Sequence, residues 1–221
     1  MPKHLQREIE NLKKSILNLS AQVESAVHEA AIAIEQRDSV LAQKVIDNDI
    51  VIDRQEVEVE EECLKTLALH QPVAIDLRFI IAILKINNDL ERIGDLAVNI
   101  AQRAVFLATQ PKPDISFDFS GMADVAQSML KKSIDALVNL DIALAQEVRG
   151  SDDTIDVMNR EMYQKVQKSI LAHPQQIAPL IQLLSVSRHL ERIADHATNI
   201  AEDVIYMVEG RIVRHKMKDY K

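Results

Sequence analysis

The chain carries two copies of one phrase, 100 residues apart. The phrase LERIGDLAVNIA begins at Leu90 and LERIADHATNIA begins at Leu190, with nine of twelve positions identical. A second match lies upstream, where the 16 residues from Asp38 and the 16 from Asp141 share eight identities at an offset of 103. A chain of 221 residues that repeats itself at about half its length is a tandem duplication. The repeat therefore predicts two halves with the same fold.

Apolar residues return at alternating spacings of three and four, which is the period of a helix face. Only 4 glycines interrupt a chain that is 47% hydrophobic, so long helices with a buried core are expected. No stretch alternates with the period of two that a strand requires. The three clearest seams are Ile9, Leu12, Ile16, Leu19, Val23, Ala26, Ala30, Ala33; Phe79, Ile83, Ile86, Leu90, Ile93, Ala97, Ile100, Ala104; and Leu183, Val186, Leu190, Ile193, Ala197, Ile200, Val204.

These seams predict an all-α fold, a tandem repeat of two three-helix bundles with six long antiparallel helices. The expected domains are residues 1–107, a proline-containing linker over residues 108–121, and residues 122–221 with a basic C-terminal tail. The two bundles are expected end to end, related by a pseudo-twofold axis. Within the first, a helix over residues 39–70 is expected to break near residues 47–49, and Pro72 is expected in the first turn of the next helix.

Composition excludes several classes of protein. No apolar run approaches the ~20 residues of a membrane span, and the charged N-terminus predicts no signal peptide. One cysteine excludes an internal disulfide, and a net charge of -8 argues against general nucleic-acid binding. The simplest expectation is a cytoplasmic protein. Its basic tail, Arg211 to Lys221, is expected to be a solvated end in preference to a lipid or partner contact.

Each half contains two pairs of acidic residues spaced four apart. The pairs are Asp49/Asp53 and Glu91/Asp95 in the first half, and Asp152/Asp156 and Glu191/Asp195 in the second. Each pair lies on one helix face, where like charges repel by a few tenths of a kcal/mol. An ordinary solvated face is the simplest interpretation. Recurrence in both copies favours a metal site instead, with carboxylate oxygens suited to Mg²⁺, Mn²⁺, Ca²⁺ or iron.

The two metal sites are not expected to be equal. Glu56 and Glu60 extend the acidic face in the first half, whereas Asn159 and Tyr163 stand at the matching positions of the second. The second site is therefore expected to be poorer.

Other reactive residues are expected to be structural. His189 and His196 share a helix face away from the carboxylates, which favours a helix interface, and Cys63 is expected in the core. Gly94 is expected to permit close helix packing. A di-iron enzyme of the ferritin type would need Glu-x-x-His on its helices, and the chain has no such set. No catalytic residues are therefore expected.

Four segments resemble the PhoU family of phosphate-transport regulators over nearly the whole chain. They are PVAIDLR from Pro72, the two LERI phrases, and EGRIVRH from Glu209. The resemblance implies a cytoplasmic, non-enzymatic negative regulator of the phosphate-starvation response. Such a regulator links the ATPase subunit of the phosphate ABC transporter to a sensor histidine kinase, which allows peripheral membrane association through these partners.

The resemblance also implies metal clusters, iron first and zinc or manganese as alternatives, at Asp49, Asp53, Glu91, Asp95, Asp152, Asp156, Glu191 and Asp195. Long amphipathic helices make a homodimer the expected assembly. Two other hypotheses stay open at the level of sequence. One is a metalloenzyme with a carboxylate-bridged centre on a helical bundle, and the other is a purely structural helical protein.

Overall fold

A computed structural model describes residues 3–113, 115 and 117–213, and in them the chain forms six long helices. Most of the basic tail lies outside the described residues. The helices are α1 (Lys3–Gln36), α2 (Ser39–His70), α3 (Ala74–Ala108), α4 (Phe119–Asn139), α5 (Ile142–Ala172) and α6 (Ile177–Glu209), with a 3₁₀ turn over Pro174–Gln176. No described helix is long and apolar enough to cross a membrane. The prediction of an all-helical fold is confirmed.

Helix α2 is continuous, so the predicted break near residues 47–49 was wrong. Asn and Asp favour helix ends because their side chains compete for backbone hydrogen bonds. Here, Val45 and Ile52 on either side of the acidic stretch are buried at 3% and 4% exposure. Their packing holds the backbone helical through a segment whose local propensity is weak.

Helices α2 and α5 begin at matching aspartates, which explains part of the repeated sequence. The Asp38 carboxylate accepts hydrogen bonds from the backbone N–H groups of Val40 and Leu41. Asp141 does the same for Leu144. Each side chain satisfies donors that the first helical turn leaves unpaired.

Two other helix boundaries were expected from the sequence, the start of α3 and the end of α6. Pro72 lies in the turn before α3 and not in its first helical turn, because the helix begins at Ala74 with Val73 as its N-cap. Helix α6 ends as expected at Glu209, where Gly210 adopts a left-handed φ of 70°. Glycine tolerates this conformation without a Cβ clash.

The two bundles lie side by side, not end to end. Helix α1 packs on α2 and α3, and α4 packs on α5 and α6, while α3 packs against α6 and α1 against α4. Along the α3–α6 contact, Lys85 pairs with Asp203 near one end, and Leu107 and Leu183 line the same cavity near the other. The residue numbers rise on one helix as they fall on the other, so the helices are antiparallel. The seams revealed only one apolar face of each helix and therefore did not predict this second contact.

A group of polar side chains links the two bundles through hydrogen bonds and ion pairs. Asp89 is only 9% exposed, and its Oδ1 lies 2.8 Å from Nδ1 of His196 and accepts a 3.3 Å hydrogen bond from Asn199. Lys85 lies 3.3 Å from the buried Asp203 carboxylate and also stacks over Tyr206. The prediction that His196 lies at a helix interface is confirmed.

Candidate metal centre

The first acidic group spans two neighbouring helices. Asp49 and Asp53 lie on α2, and Glu91 and Asp95 lie on α3. Gly94 lets these helices approach, because a Cβ built there would lie 3.2 Å from Cγ2 of Ile52. Asp49 Oδ1 is 4.0 Å from the same point. The close packing expected at Gly94 is confirmed and brings the two pairs of acids together.

Burial and mutual repulsion raise the pKa of several carboxyl groups in this first group. The pKa of Asp49 is raised by burial first, then by the charges of Asp53 and Asp95. The pKa of Glu91 is raised by burial and by Asp95, against an opposing effect of Arg92. Since Asp49 and Asp95 lie on different helices, the repulsion acts across the helix contact. A bound cation would relieve it.

Two residues that the sequence did not single out lie beside this group, Arg92 against two of its acids and Asn87 against the neighbouring Glu56. Arg92 lies 3.4 Å from Glu91 and 3.7 Å from Asp95. The Asn87 side-chain amide donates to the backbone carbonyl of Glu56 at 2.9 Å and to its carboxylate at 3.0 Å. Asn87 is 1% exposed, and its own oxygen has no hydrogen-bond partner. Asn87 precedes Glu91 by one helical turn, and this spacing was the available sequence signal.

The second acidic group repeats the arrangement on α5 and α6. The pKa of Asp195 is raised by burial, then by the charges of Asp152 and Asp156 on the facing helix. The pKa of Glu191 is likewise raised by burial, then by Asp195 and Asp156. All four acids expected in this half therefore interact with one another.

The second group lacks counterparts of Glu56 and Glu60, but the charges of Asp153 and Glu202 also raise the pKa of its Asp152. Asn159, which replaces Glu56, accepts a hydrogen bond from the hydroxyl of Ser187. Asp152 lies beside Thr198, whose hydroxyl approaches Oδ1 at 3.4 Å and opposes the rise in its pKa. In this half an amide takes the place of the Glu56 carboxylate, and the poorer second site stays a prediction.

The eight acids thus form two groups of four, both partly open to solvent. Their donor chemistry fits a hard cation, because every candidate ligand atom is a carboxylate oxygen. Within the described part of the chain, however, no three His, Cys, Asp or Glu side chains are arranged to hold a metal ion. The ligand assignment therefore stays a prediction.

The remaining reactive residues are structural. Cys63 is fully buried, and burial raises the pKa of its thiol to about 12, so the expected core position is confirmed. Burial and the nearby Arg103, Arg192 and Arg188 lower the pKa of His189 to about 4.

Comparison with known proteins accounts for the repeated architecture. The PhoU domain model matches residues 16–104 and again residues 119–204. The phosphate-specific transport system accessory protein PhoU homolog of Aquifex aeolicus is 39% identical over 212 residues, covering 95% of each chain. Its Pseudomonas putida counterpart is 37% identical over 94% of this chain and 82% of its own length.

Solved structures agree with the sequence comparison. PhoU from Pseudomonas aeruginosa superposes with a TM-score of 0.91 at 36% identity, over 93% of this chain and 99% of that one. The phosphate transport system regulatory protein PhoU from Streptococcus pneumoniae gives a TM-score of 0.84 at 28% identity, over 96% and 100%. Two matched domains, the fold and the relatives agree along the length of the chain, and the protein belongs to the PhoU family.

Proposed function

We propose that this chain is a regulator of phosphate uptake that acts by binding other proteins. The observation that carries the proposal is the match of both halves to the PhoU domain, together with full-length relatives named as accessory proteins of phosphate-specific transport. A regulator that contains two copies of one bundle, packed against each other, offers two related surfaces in one chain. That arrangement suits an adaptor better than an enzyme.

The proposed partners are the ATPase subunit of a phosphate ABC transporter and a sensor histidine kinase. Under this proposal, the chain works in the cytoplasm as a homodimer and represses the phosphate-starvation response when phosphate is plentiful. Peripheral contact with the membrane would come through these partners. The resemblance to the family supports these assignments.

The acidic groups are proposed to bind metal, with iron expected first and zinc or manganese as alternatives. The raised pKa values support this proposal. The carboxylates in each group repel one another across a helix contact, and a bound cation would remove the free-energy cost of keeping them charged. The proposed role of the metal is to fix α2 against α3 and α5 against α6. A reactive centre is not proposed, because these carboxylates lie on open helix faces.

The regulatory proposal is tested by deleting the gene in the source cell and following a phosphate-starvation reporter. Expression in high phosphate should rise after deletion and return to its repressed level when the wild-type chain is restored. A reporter that stays repressed without the chain would refute the proposed function.

The metal proposal needs a separate measurement, elemental analysis of protein purified without a metal-binding tag. Glu91→Gln/Asp95→Asn should remove metal from the first half, and Glu191→Gln/Asp195→Asn should remove a smaller amount from the second. Glu8→Gln/Glu10→Gln on α1 is the matched control and should change nothing. If wild-type protein holds no metal even after reconstitution with iron, manganese or zinc, the acids are not ligands.

A further inference from the structure

An apolar stripe runs along the outer face of α2. Its members are Ile50, Val57 and Leu64, which are 63%, 49% and 53% exposed. They are spaced by seven residues, so they lie within about 40° of one another and extend over about 21 Å of the helix. Regular seven-residue spacing is typical of a helix that packs on another helix.

Neighbouring contacts fix the direction in which this stripe faces. On one side of α2, Glu62 accepts a 3.0 Å hydrogen bond from Ser15 of α1. On the other side, Glu56 accepts hydrogen bonds from Asn87 of α3. Val57 lies between these two directions and opposite the buried Val59 and Cys63. The stripe therefore points away from the bundle.

Charges beside the stripe are mostly negative. Five exposed acids flank it, against two exposed bases: Asp47, Asp53, Glu58, Glu60 and Glu61, against Arg54 and Lys65. A second copy of this face would bring like charges together around the apolar contact. An anionic membrane surface would be repelled for the same reason. A partner helix with an apolar seam and with lysine or arginine at its flanks would match both the apolar stripe and the acids beside it.

The second half of the molecule lacks the stripe. At the offset of 103 that relates α2 to α5, the positions of Ile50, Val57 and Leu64 are occupied by Asp153, Arg160 and Gln167. The stripe is therefore not a requirement of the repeated fold. It is specific to the first half.

We propose that the outer face of α2 is a docking surface for a basic amphipathic helix of a partner protein. Ile50, Val57 and Leu64 would bury against the apolar seam of that helix, and the flanking acids would pair with its basic residues. The proposal deepens the proposed regulatory function, on which it rests, by naming the face and the chemistry of the partner.

The test uses three synthetic peptides of about 18 residues, a length that covers the stripe. One has a leucine seam with lysine flanks, one has the same seam with glutamate flanks, and one is a scrambled lysine peptide. Binding to the full chain is measured by fluorescence anisotropy in the presence of a chelator. The lysine-flanked peptide should bind more tightly than the other two. Its binding should weaken as the salt concentration is raised.

Ile50→Gln/Val57→Gln/Leu64→Gln should weaken that binding by about tenfold or more, because it removes the apolar contact. Val157→Gln/Leu171→Gln is the matched control, since both residues are exposed apolar residues of α5, and it should leave binding unchanged. Circular dichroism should show that both variants keep their helices. Equal binding by the triple variant, or equal binding of the glutamate-flanked peptide, would overturn the proposal. Dissociation of a dimer by the triple substitution would also overturn the proposal, because a second copy of the chain would then be what covers the stripe.

The same triple variant is then placed in the cell with the phosphate-starvation reporter. Loss of repression is expected, with metal content unchanged. Full repression by a variant that no longer binds the peptide would overturn docking on α2 while leaving the regulatory proposal intact. A reporter that stays repressed even after deletion of the whole gene would instead refute the regulatory function.

Discussion

Gly94 and Gly150 both lie inside helices, but their surroundings differ. A Cβ at Gly94 would meet Ile52 at 3.2 Å, whereas a Cβ at Gly150 would have no neighbour within 4 Å. Gly150→Ala should therefore raise the free energy of unfolding by about 1 kcal/mol through helix propensity alone. Gly94→Val should lower it by about 1–3 kcal/mol through overpacking. Urea unfolding measures both, and equal effects at the two sites would contradict the close contact between α2 and α3.

His189 makes stability depend on pH. Neither ring nitrogen has a hydrogen-bond partner, and its pKa is lowered from 6.5 to about 4. The unfolded chain thus binds a proton more readily than the folded chain, so stability falls as pH drops from 6.5 towards about 4. The slope from one such group is at most about 1.4 kcal/mol per pH unit.

His189→Gln should remove that part of the acid sensitivity. The measurement is the free energy of unfolding at pH 7 and at pH 4.5 for both proteins. Between these values the wild type should lose more stability than the variant. His4→Gln, at an exposed position, is the control and should behave as wild type. Parallel losses in wild type and His189→Gln would show that the imidazole is not held neutral.

At the scale of the helices, the acidic groups are expected to destabilise the protein when no metal is bound. Because the pKa values of Asp49 and Glu91 are raised on folding, their free-energy cost is absent below the unfolded pKa values, grows as pH rises from there, and is complete above the folded ones. Asp49→Asn/Glu91→Gln should therefore stabilise chelator-treated protein at pH 7, by only a few tenths of a kcal/mol because solvent screens these partly exposed charges. The gain should vanish at low pH.

Thermal unfolding with chelator measures this effect, and Glu10→Gln on α1 is the control. If the acids bind metal as proposed, added metal should reverse the order, since only the wild type retains all of the proposed ligands. A variant that is less stable than wild type at pH 7 without metal would contradict the repulsion between α2 and α3.

The helices and most of their ends follow from the sequence, because seams and caps are local signals. The break near residues 47–49 did not form because burial of Val45 and Ile52 outweighs the local preference of Asn and Asp. The acidic pairs were found because both copies keep them. Asn87 was missed because its counterpart is Ser187, so the repeat did not mark it. Both halves make the contact, by Asn87 to Glu56 and by Ser187 to Asn159, but with different side chains, so a search for identical residues does not find it.

At the scale of the whole molecule, the polar group around Asp89 holds the bundles side by side. Asp89→Ala would leave His196 and Asn199 without their partner at a largely buried position. Unfolding should become easier by about 1–3 kcal/mol, as expected when buried polar groups lose a hydrogen-bond partner. Hydrogen exchange should speed up along the facing sides of α3 and α6. Glu161→Ala on the exposed side of α5 is the control, and an equal effect there would contradict the assignment.

Among the described elements, α3 and α6 contact both bundles, whereas α2 contacts only α1 and α3, and α5 contacts only helices of its own half. A change on α3 must satisfy two sets of neighbours, but a change on the outside of α2 disturbs none. The central helices α3 and α6 keep nine identities in twelve positions, compared with eight in sixteen around the starts of the outer helices α2 and α5. After a gene duplication, the inner pair preserves the architecture while each outer helix is free to acquire its own specialisation. One ancestral bundle could in this way give rise to two different functions within a single polypeptide.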